Sequence, residues 1–174
     1  MITIDTDRLT IRNFRPGDWK DLQEVIIKYQ ESEYARYDHK WPTSVKEIRN
    51  ITSWFADGDD YLAVCLKTTR ELIGLISINF REEQDGRVHN LGYIFHTKHQ
   101  GQGYATESCQ ATMNYLFGQL VADGILTGTY PDNTPSVSLL KKLGFKETPQ
   151  GDFAISRKEW LAIGQVSGKR AEKA

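Results

Sequence analysis

A glycine-rich segment between a predicted strand and a predicted helix carries the clearest chemical signal in this sequence. It reads Gln100-Gly101-Gln102-Gly103-Tyr104-Ala105-Thr106-Glu107. Glycines 101 and 103 let the chain turn with positive φ and leave the neighbouring main-chain amides uncovered. Amides at a helix N-terminus also lie in the field of about half a positive charge from the helix dipole. The segment therefore predicts a phosphate-binding loop.

The spacing of residues within this loop narrows the range of phosphate-containing ligands that it could bind. A dinucleotide-binding fold requires a third small residue where this chain has Thr106, and an acidic residue ~20 positions further on. Neither requirement is clearly met. The Gly-Lys-Ser/Thr tripeptide of nucleoside-triphosphate loops does not occur in the sequence. A glycine-rich turn that merely begins a helix remains an alternative for the loop taken alone.

The elements that must position the loop follow from hydrophobic periodicity and turn signals. The predicted order is β-α-α-β-β-β-α-β-α-β, a mixed α/β (α+β) domain. A strand, a crossover helix and a second strand predict one locally parallel pair within an otherwise antiparallel sheet. The predicted strands are 8–14, 61–66, 72–80, 88–96, 124–130 and 153–156. The predicted helices begin near Asp18, Ser44, Ala105 and Thr134.

Composition restricts the class of protein. The chain has 174 residues, 39% of them hydrophobic and 26% charged, with a net charge of −1. These values indicate one globular domain, which we place at residues 1–165, with a tail at 166–174 that we expect to fray. Near-neutral charge argues against nucleic acid as a partner, and the short apolar runs predict neither a membrane span nor a signal peptide. We expect a cytoplasmic protein.

Two further patterns concern metals and thiols. His89, His96 and His99 have no cysteine or carboxylate partners at metal-ligand spacing, so no metal site is predicted. Cys65 and Cys109 are too few for a disulfide scaffold, and we expect both to be reduced and buried.

The glycine-rich loop is followed about thirty residues later by Asn133-x-x-Ser136 and then by Lys142-Leu143-Gly144-Phe145. This combination resembles the GNAT acetyltransferase superfamily. The opening Thr6-Asp7-Arg8-Leu9-Thr10-Ile11-Arg12 is similar to the branch that acetylates ribosomal-protein N-termini. The resemblance covers roughly residues 5–147. It implies a mostly antiparallel sheet with one splayed parallel pair and flanking helices, and it implies acetyl-CoA as co-substrate.

The resemblance assigns the coenzyme to a gap between two parallel strands. The pyrophosphate would lie on the loop amides, the pantetheine arm would pair with the edge of one strand, and a side chain from the next strand's end would bond the arm. An extended amide-bearing arm can add to a strand edge as a peptide does. The implied binding residues are Tyr93, Ile94, Phe95, Gln100, Gly101, Gln102, Gly103, Tyr104, Ala105, Thr106 and Asn133.

The implied reaction is direct transfer of the acetyl group to a primary amine of a small molecule or a protein N-terminus. An α-amine demands less of a general base than a lysine, because its pKa is lower. Many relatives have glutamate where this chain has Asn90, and some have a tyrosine acid where it has Leu140. The candidates that remain for proton transfer are His96 and Glu82, with Glu83 and Asp38 as further relays through water. A solvated or structurally bonded histidine is the simpler interpretation of His96.

The segment 34–42 would face the acceptor side of the cleft in relatives. It mixes aromatic rings with both charges, and we name Tyr37 and Asp38 as candidate amine-binding residues. A packed surface loop is the alternative interpretation. The missing glutamate and tyrosine also keep open a non-catalytic acyl-CoA binding module, with a dinucleotide-binding protein as a more remote hypothesis. An unpaired strand edge makes a homodimer plausible.

Overall fold

The computed structural model describes residues 1–83 and 86–171, and its centre is an eight-stranded sheet in the order β1-β2-β3-β4-β5-β6-β8-β7. All neighbouring strands are antiparallel except β5 and β6, which confirms the predicted mixed sheet with one parallel pair. The strands are β1 (Thr3–Asp5), β2 (Leu9–Asn13), β3 (Tyr61–Leu66), β4 (Leu72–Glu83), β5 (Gly86–Phe95), β6 (Gly124–Thr127), β7 (Lys146–Glu147) and β8 (Phe153–Ser156). The helices are α1 (Trp19–Gln30), α2 (Val45–Ala56), α3 (Tyr104–Gly118), α4 (Thr134–Lys142) and α5 (Arg157–Ala171).

The sheet is buried on both faces. β3 is an apolar run and β4 begins with one, as expected for strands covered by helices on each side. One core lies on the face of Ile76 and Phe95 and includes Met113 and Phe117 of α3. The other lies on the face of Leu75 and Ile94 and includes residues of α1 and α2. Two packed helical layers therefore fix the position of β5.

The parallel strands β5 and β6 separate soon after they meet. Their register joins Val88, His89 and Asn90 to Gly124, Ile125 and Leu126, whereas β5 continues to Phe95 alongside β4. The crossover between them is α3, which packs on the core below. A wedge-shaped gap consequently opens between the C-terminal ends of these two strands.

Helix ends follow the predicted signals with two differences. Ser44 caps α2 by accepting the Glu47 amide, and Gly144, at φ 91°, ends α4 with the Phe145 amide donating to the Leu140 carbonyl. Asp18 was expected to cap α1, but its carboxylate instead accepts hydrogen bonds from Arg12 and from the Arg15 amide. Asn133, rather than Thr134, precedes the first residue of α4.

Several elements lie outside the sequence-based predictions. The two short strands β1 and β7 and the helix α5 were not predicted, and β4 extends three residues beyond Phe80. Helix α5 covers part of the segment expected to fray, and 172–174 lie outside the described residues, so a frayed tail stays a prediction. Within the part of the chain that the structure describes, no helix combines the length and apolarity that crossing a membrane requires.

Candidate active site

A cleft of about 730 Å³ occupies the gap where β5 and β6 separate. It runs from the N-terminus of α3 to the segment between α1 and α2. Its lining includes Tyr93, Ile94 and Phe95 of β5, the loop before α3, the residues that follow β6, and the beginning of α4. The topology therefore brings the glycine-rich loop and the separating strands into one site, as the sequence predicted.

The N-terminus of α3 presents free amides to the cleft. Gly103 is the N-cap, at φ 82°, and no side chain caps the helix. The first helical hydrogen bond joins the Glu107 amide to the Gly103 carbonyl, which leaves the amides of Tyr104, Ala105 and Thr106 without a helical acceptor. These three residues line the cleft. The arrangement suits an anion, because the helix dipole adds to the free donors.

The backbone of β5 turns hydrogen-bonding groups toward the gap. The Asp123 amide, just before β6, donates to the Arg87 carbonyl at 2.9 Å, whereas the His96 amide donates to Ile73 on the β4 side. Backbone groups alternate along an antiparallel strand, so those of Tyr93 and Phe95 face the same side as Arg87. The pairing with β6 ends at Asn90. An extended ligand with amide groups can therefore bond this edge.

The opposite end of the cleft is formed by residues between α1 and α2. Asp38 and His39 form a close pair, with His39 Nδ1 2.8 Å from Asp38 Oδ1. The other carboxylate oxygen of Asp38 accepts the Trp41 indole N–H at 2.9 Å, and the His39 ring lies 4.3 Å from the Trp41 ring. Tyr37 also lines this end and donates its hydroxyl to the Asp132 carbonyl. The pair orients His39 Nδ1 toward the carboxylate, so Nε2 is the nitrogen left for other partners.

A hydroxyl pair connects the two sides of the gap. Tyr93 Oη of β5 and Ser136 Oγ of α4 are 2.8 Å apart, and both residues line the cleft. Burial raises the pKa of the Tyr93 phenol well above its usual range, so the phenol stays protonated. The sequence analysis included Ser136 in the Asn133-x-x-Ser136 motif but predicted no role for it.

Comparisons with known proteins identify the family. Residues 8–146 match the family model described as "Acetyltransferase (GNAT) domain". The chain belongs to the GNAT acetyltransferase family. It is 30% identical over 154 residues to "Uncharacterized N-acetyltransferase p20" from Bacillus licheniformis, with 84% of each chain covered.

Solved structures support the same fold. The ribosomal-protein-S5-alanine acetyltransferase from Vibrio fischeri matches with a TM-score of 0.78 at 15% identity, over 92% of this chain and 99% of that one. The spermidine/spermine N-acetyltransferase SpeG from Vibrio cholerae matches with a TM-score of 0.72 at 18% identity, over 91% and 99%. Family membership implies acetyl-CoA as the co-substrate of this GNAT enzyme.

The residues expected to hold acetyl-CoA fall at the coenzyme end of the cleft, with one exception. Gln100 donates its side-chain amide to the Phe95 carbonyl at 3.3 Å, and the side chain of Asn133 makes no capping hydrogen bond on α4. The exception is Gln102, whose side chain donates to the Lys98 carbonyl instead of lining the cleft. Ile94 lines the cleft, but its backbone groups alternate with those of Tyr93 and Phe95 and face β4, so they do not offer bonds to the arm. The uncapped helix and the open strand edge fit a pyrophosphate and an amide-bearing arm, so the chain is chemically suited to this coenzyme.

The two residues expected to move protons lie elsewhere. His96 is buried, its Nδ1 accepts the Lys98 amide at 3.0 Å, and its Nε2 lies 3.5 Å from a carboxylate oxygen of Glu24. Both ring nitrogens thus have partners within the protein, which agrees with the interpretation of His96 as a structurally bonded histidine. Glu82 pairs with Arg87 in the register of β4 and β5. Glu82 is six residues further along β4 than Ile76, which pairs with Tyr93. About 20 Å of strand therefore separates Glu82 from the part of β4 that lies beside Tyr93.

The thiol nearest the coenzyme loop is unsuited to covalent catalysis. Cys109 is fully buried in α3, and burial raises the pKa of its thiol to about 12. A thiol must ionise to act as a nucleophile, so the structure supports direct transfer over an acetyl-cysteine. Cys65 is also buried, and both cysteines are free, as predicted.

Arg8 braces the coenzyme loop from the turn between β1 and β2. Its guanidinium contacts the Glu107 carboxylate at 2.6 Å, donates to the Gln102 carbonyl at 3.0 Å and lies 4.4 Å from the centre of the Tyr104 ring. Partial burial raises the pKa of Glu107, but hydrogen bonds from Thr6 and Arg8 outweigh it and lower that pKa. Glu107 therefore remains a carboxylate, and the contacts fix the loop on both sides of Gly103.

We predict that Arg8→Ala weakens acetyl-CoA binding about fivefold, because the loop loses its brace while its amides remain. Calorimetric titration of acetyl-CoA measures the dissociation constant. Lys67→Ala is the control, since Lys67 contacts Asp5 in the same turn without reaching the loop. An Arg8→Ala protein that binds as tightly as the control would show that Arg8 does not position the loop.

Proposed function

We propose that this protein transfers the acetyl group of acetyl-CoA to a primary amine that enters the cleft beside Tyr37 and Asp38. The observation that carries the proposal is the continuity of the cleft. It joins the free amides of α3 to the Asp38–His39 pair, past the open edge of β5. A cleft with an anion-binding end and an amine-binding end brings two substrates together.

The coenzyme would be held by the residues predicted from the sequence. The amides from Gly103 to Thr106 bind the pyrophosphate, and the backbone of Tyr93 and Phe95 pairs with the pantetheine arm. Bound acetyl-CoA supplies a thioester whose carbonyl carbon a neutral amine attacks, with cleavage of the C–S bond to give an amide and a free thiol. A β5 amide that faces the gap stabilises negative charge on the carbonyl oxygen.

His39 is the proton acceptor in this proposal. An amine is mostly protonated at neutral pH, so a proton must leave its nitrogen before attack. His39 lines the cleft with its Nδ1 2.8 Å from the Asp38 carboxylate, which leaves Nε2 as the nitrogen that accepts the proton. The Asp38 carboxylate then stabilises the imidazolium. His96 and Glu82 stay weaker hypotheses for this role, since both lie away from the lining described above.

The Tyr93–Ser136 pair is the proposed hydrogen-bond donor to the departing thiolate. Leu140, which takes the position of a tyrosine acid in some relatives, is fully buried in the core with Phe145 and has no proton to give. Ser136 lines the cleft on the α4 side, so its hydroxyl can stabilise the thiolate by a hydrogen bond, while the proton lost by the amine nitrogen passes to the thiolate and gives the free thiol.

The acceptor is a protein N-terminus or a small-molecule amine. One structural relative is named for a ribosomal protein and another for spermidine and spermine. We therefore propose a panel of α-amino peptides, arylalkylamines, polyamines and aminoglycosides, incubated with acetyl-CoA. We expect amine-dependent thiol release that equals the acetylated product measured by mass spectrometry. Tight coenzyme binding without thiol release across the panel would instead support an acyl-CoA binding module.

A further inference from the structure

The end of the cleft that is formed by residues between α1 and α2, where we propose that the acceptor amine binds, is lined by aromatic rings. We call it the acceptor end. Five aromatic side chains from three separate segments line it: Tyr29, Tyr34, Tyr37, Trp41 and Tyr61. Trp41 is held by its hydrogen bond to Asp38 and by an edge contact with Phe55. Tyr61 stacks on the same Phe55 with ring centres 4.0 Å apart. Rings fixed from behind in this way offer an apolar surface that needs little ordering when a ligand binds.

A single carboxylate accompanies these rings. Asp38 is the only acidic side chain that lines the cleft among the described residues, and its side chain is 25% exposed. Its Oδ1 accepts the His39 main-chain amide and lies 2.8 Å from His39 Nδ1, whereas its Oδ2 accepts the Trp41 indole N–H. A carboxylate oxygen has two lone-pair sites, so Oδ2 can still accept one hydrogen bond from an ammonium group.

The described lining also has no lysine or arginine side chain. A substrate carboxylate would therefore lose its hydration without gaining a permanently charged partner from the lining, which disfavours free amino acids. A polyamine has the opposite difficulty, because its second and third ammonium groups need carboxylates that this lining does not provide. Free amino acids and polyamines are thus both poorly matched to this end of the cleft.

We propose that the preferred acceptor is a primary amine with one positive charge on an aromatic or apolar group. This inference rests on the proposed function, because it names the substrate class of the same cleft. The ammonium meets Asp38 and the aromatic faces, and the apolar group packs against the rings. A free arylalkylamine and a peptide whose N-terminal residue is aromatic share this chemistry.

Binding to the enzyme–CoA complex tests the inference without requiring turnover. We expect 2-phenylethylamine to bind at least about tenfold more tightly than spermidine or phenylalanine in calorimetric titrations. A Phe-Ala-Gly-Ser peptide amide is measured in parallel, and its affinity relative to phenylethylamine identifies the source of the amine. Equal or tighter binding of spermidine or phenylalanine would overturn the inference. Absence of thiol release with every amine would instead contradict the proposed function.

A charge-specific variant separates recognition by Asp38 from its structural contacts. Asp38→Asn keeps a side-chain oxygen for Trp41 but removes the charge. It should weaken 2-phenylethylamine about fivefold and leave the neutral analogue 2-phenylethanol within about twofold. Glu33→Gln is the control, since Glu33 is exposed at the start of the short 3-10 helix Glu33–Tyr37 that precedes Asp38, and it is not among the lining residues. If Asp38→Asn weakens both compounds equally or neither, Asp38 does not recognise the ammonium.

Discussion

Replacing Gly103 with valine should raise the dissociation constant of acetyl-CoA at least tenfold, a loss of about 1.4 kcal/mol. Gly103 has φ 82°, a conformation that a β-branched residue rarely adopts. A Cβ at this position would also lie 3.4 Å from the Arg8 guanidinium, so the valine methyl groups would press on the contact that braces the loop. The chain must move, and the amides of residues 104–106 move with it. Calorimetric titration measures the effect.

Gly151→Val is the matched control for this experiment. Gly151 also has positive φ, at 89°, and a Cβ at this position would meet no atom within 4 Å, but the residue lies outside the cleft lining. We expect both variants to lose stability and only Gly103→Val to lose coenzyme affinity. Coenzyme binding by Gly103→Val within about twofold of the parent protein would refute the phosphate-binding role of the loop.

The coenzyme end of the cleft was predictable because its chemistry is local. Positive φ at Gly101 and Gly103 and free amides at a helix start depend on a few consecutive residues, and the structure shows them as expected. The crossover through α3 makes β5 and β6 parallel, whereas their separation was expected only from the resemblance to the GNAT superfamily. Short-range interactions therefore determine the loop itself, and Arg8 contacts it from 94 positions away.

The acceptor end was less predictable because it depends on contacts between distant segments. The segment 34–42 was expected on the acceptor side of the cleft, with Tyr37 and Asp38 as candidates, but the sequence predicted no role for His39 and did not show its ring against Trp41. The Tyr93–Ser136 contact similarly joins residues 43 positions apart, on β5 and α4. The sequence also could not show the surroundings of His96, whose Nδ1 accepts the Lys98 amide and whose Nε2 lies 3.5 Å from Glu24.

Helix α5 was also not predicted, because its start depends on tertiary contacts. Its sequence has weak amphipathic character, and its first turn is fixed by tertiary contacts: Glu159 accepts from Lys146 and from Ser156. The Lys146 hydrogen bond, followed by those from Ser156, lowers the pKa of Glu159 to about 2. Trp160 then stacks on Phe117 of α3 with ring centres 5.1 Å apart. Packing, more than intrinsic propensity, therefore accounts for the start of this helix.

Replacing His39 with alanine should lower kcat about 100-fold and leave the KM for acetyl-CoA unchanged. The reason is that Asp38 orients His39 Nδ1 and leaves Nε2 to take the proton from the amine, whereas the coenzyme binds at the other end of the cleft. Steady-state kinetics with a saturating amine measure both constants. Lys40→Ala is the control, because Lys40 is the exposed next residue and does not belong to the lining.

Added imidazole distinguishes proton transfer from a structural role of this ring. A free imidazole can occupy the space left by His39→Ala and accept the proton, so kcat should rise with imidazole concentration in the variant and not in the parent protein. A histidine that only packed against Trp41 would lower the melting temperature without producing this rescue. Loss of activity that imidazole does not restore, or a kcat within about threefold of the parent, would exclude His39 as the base.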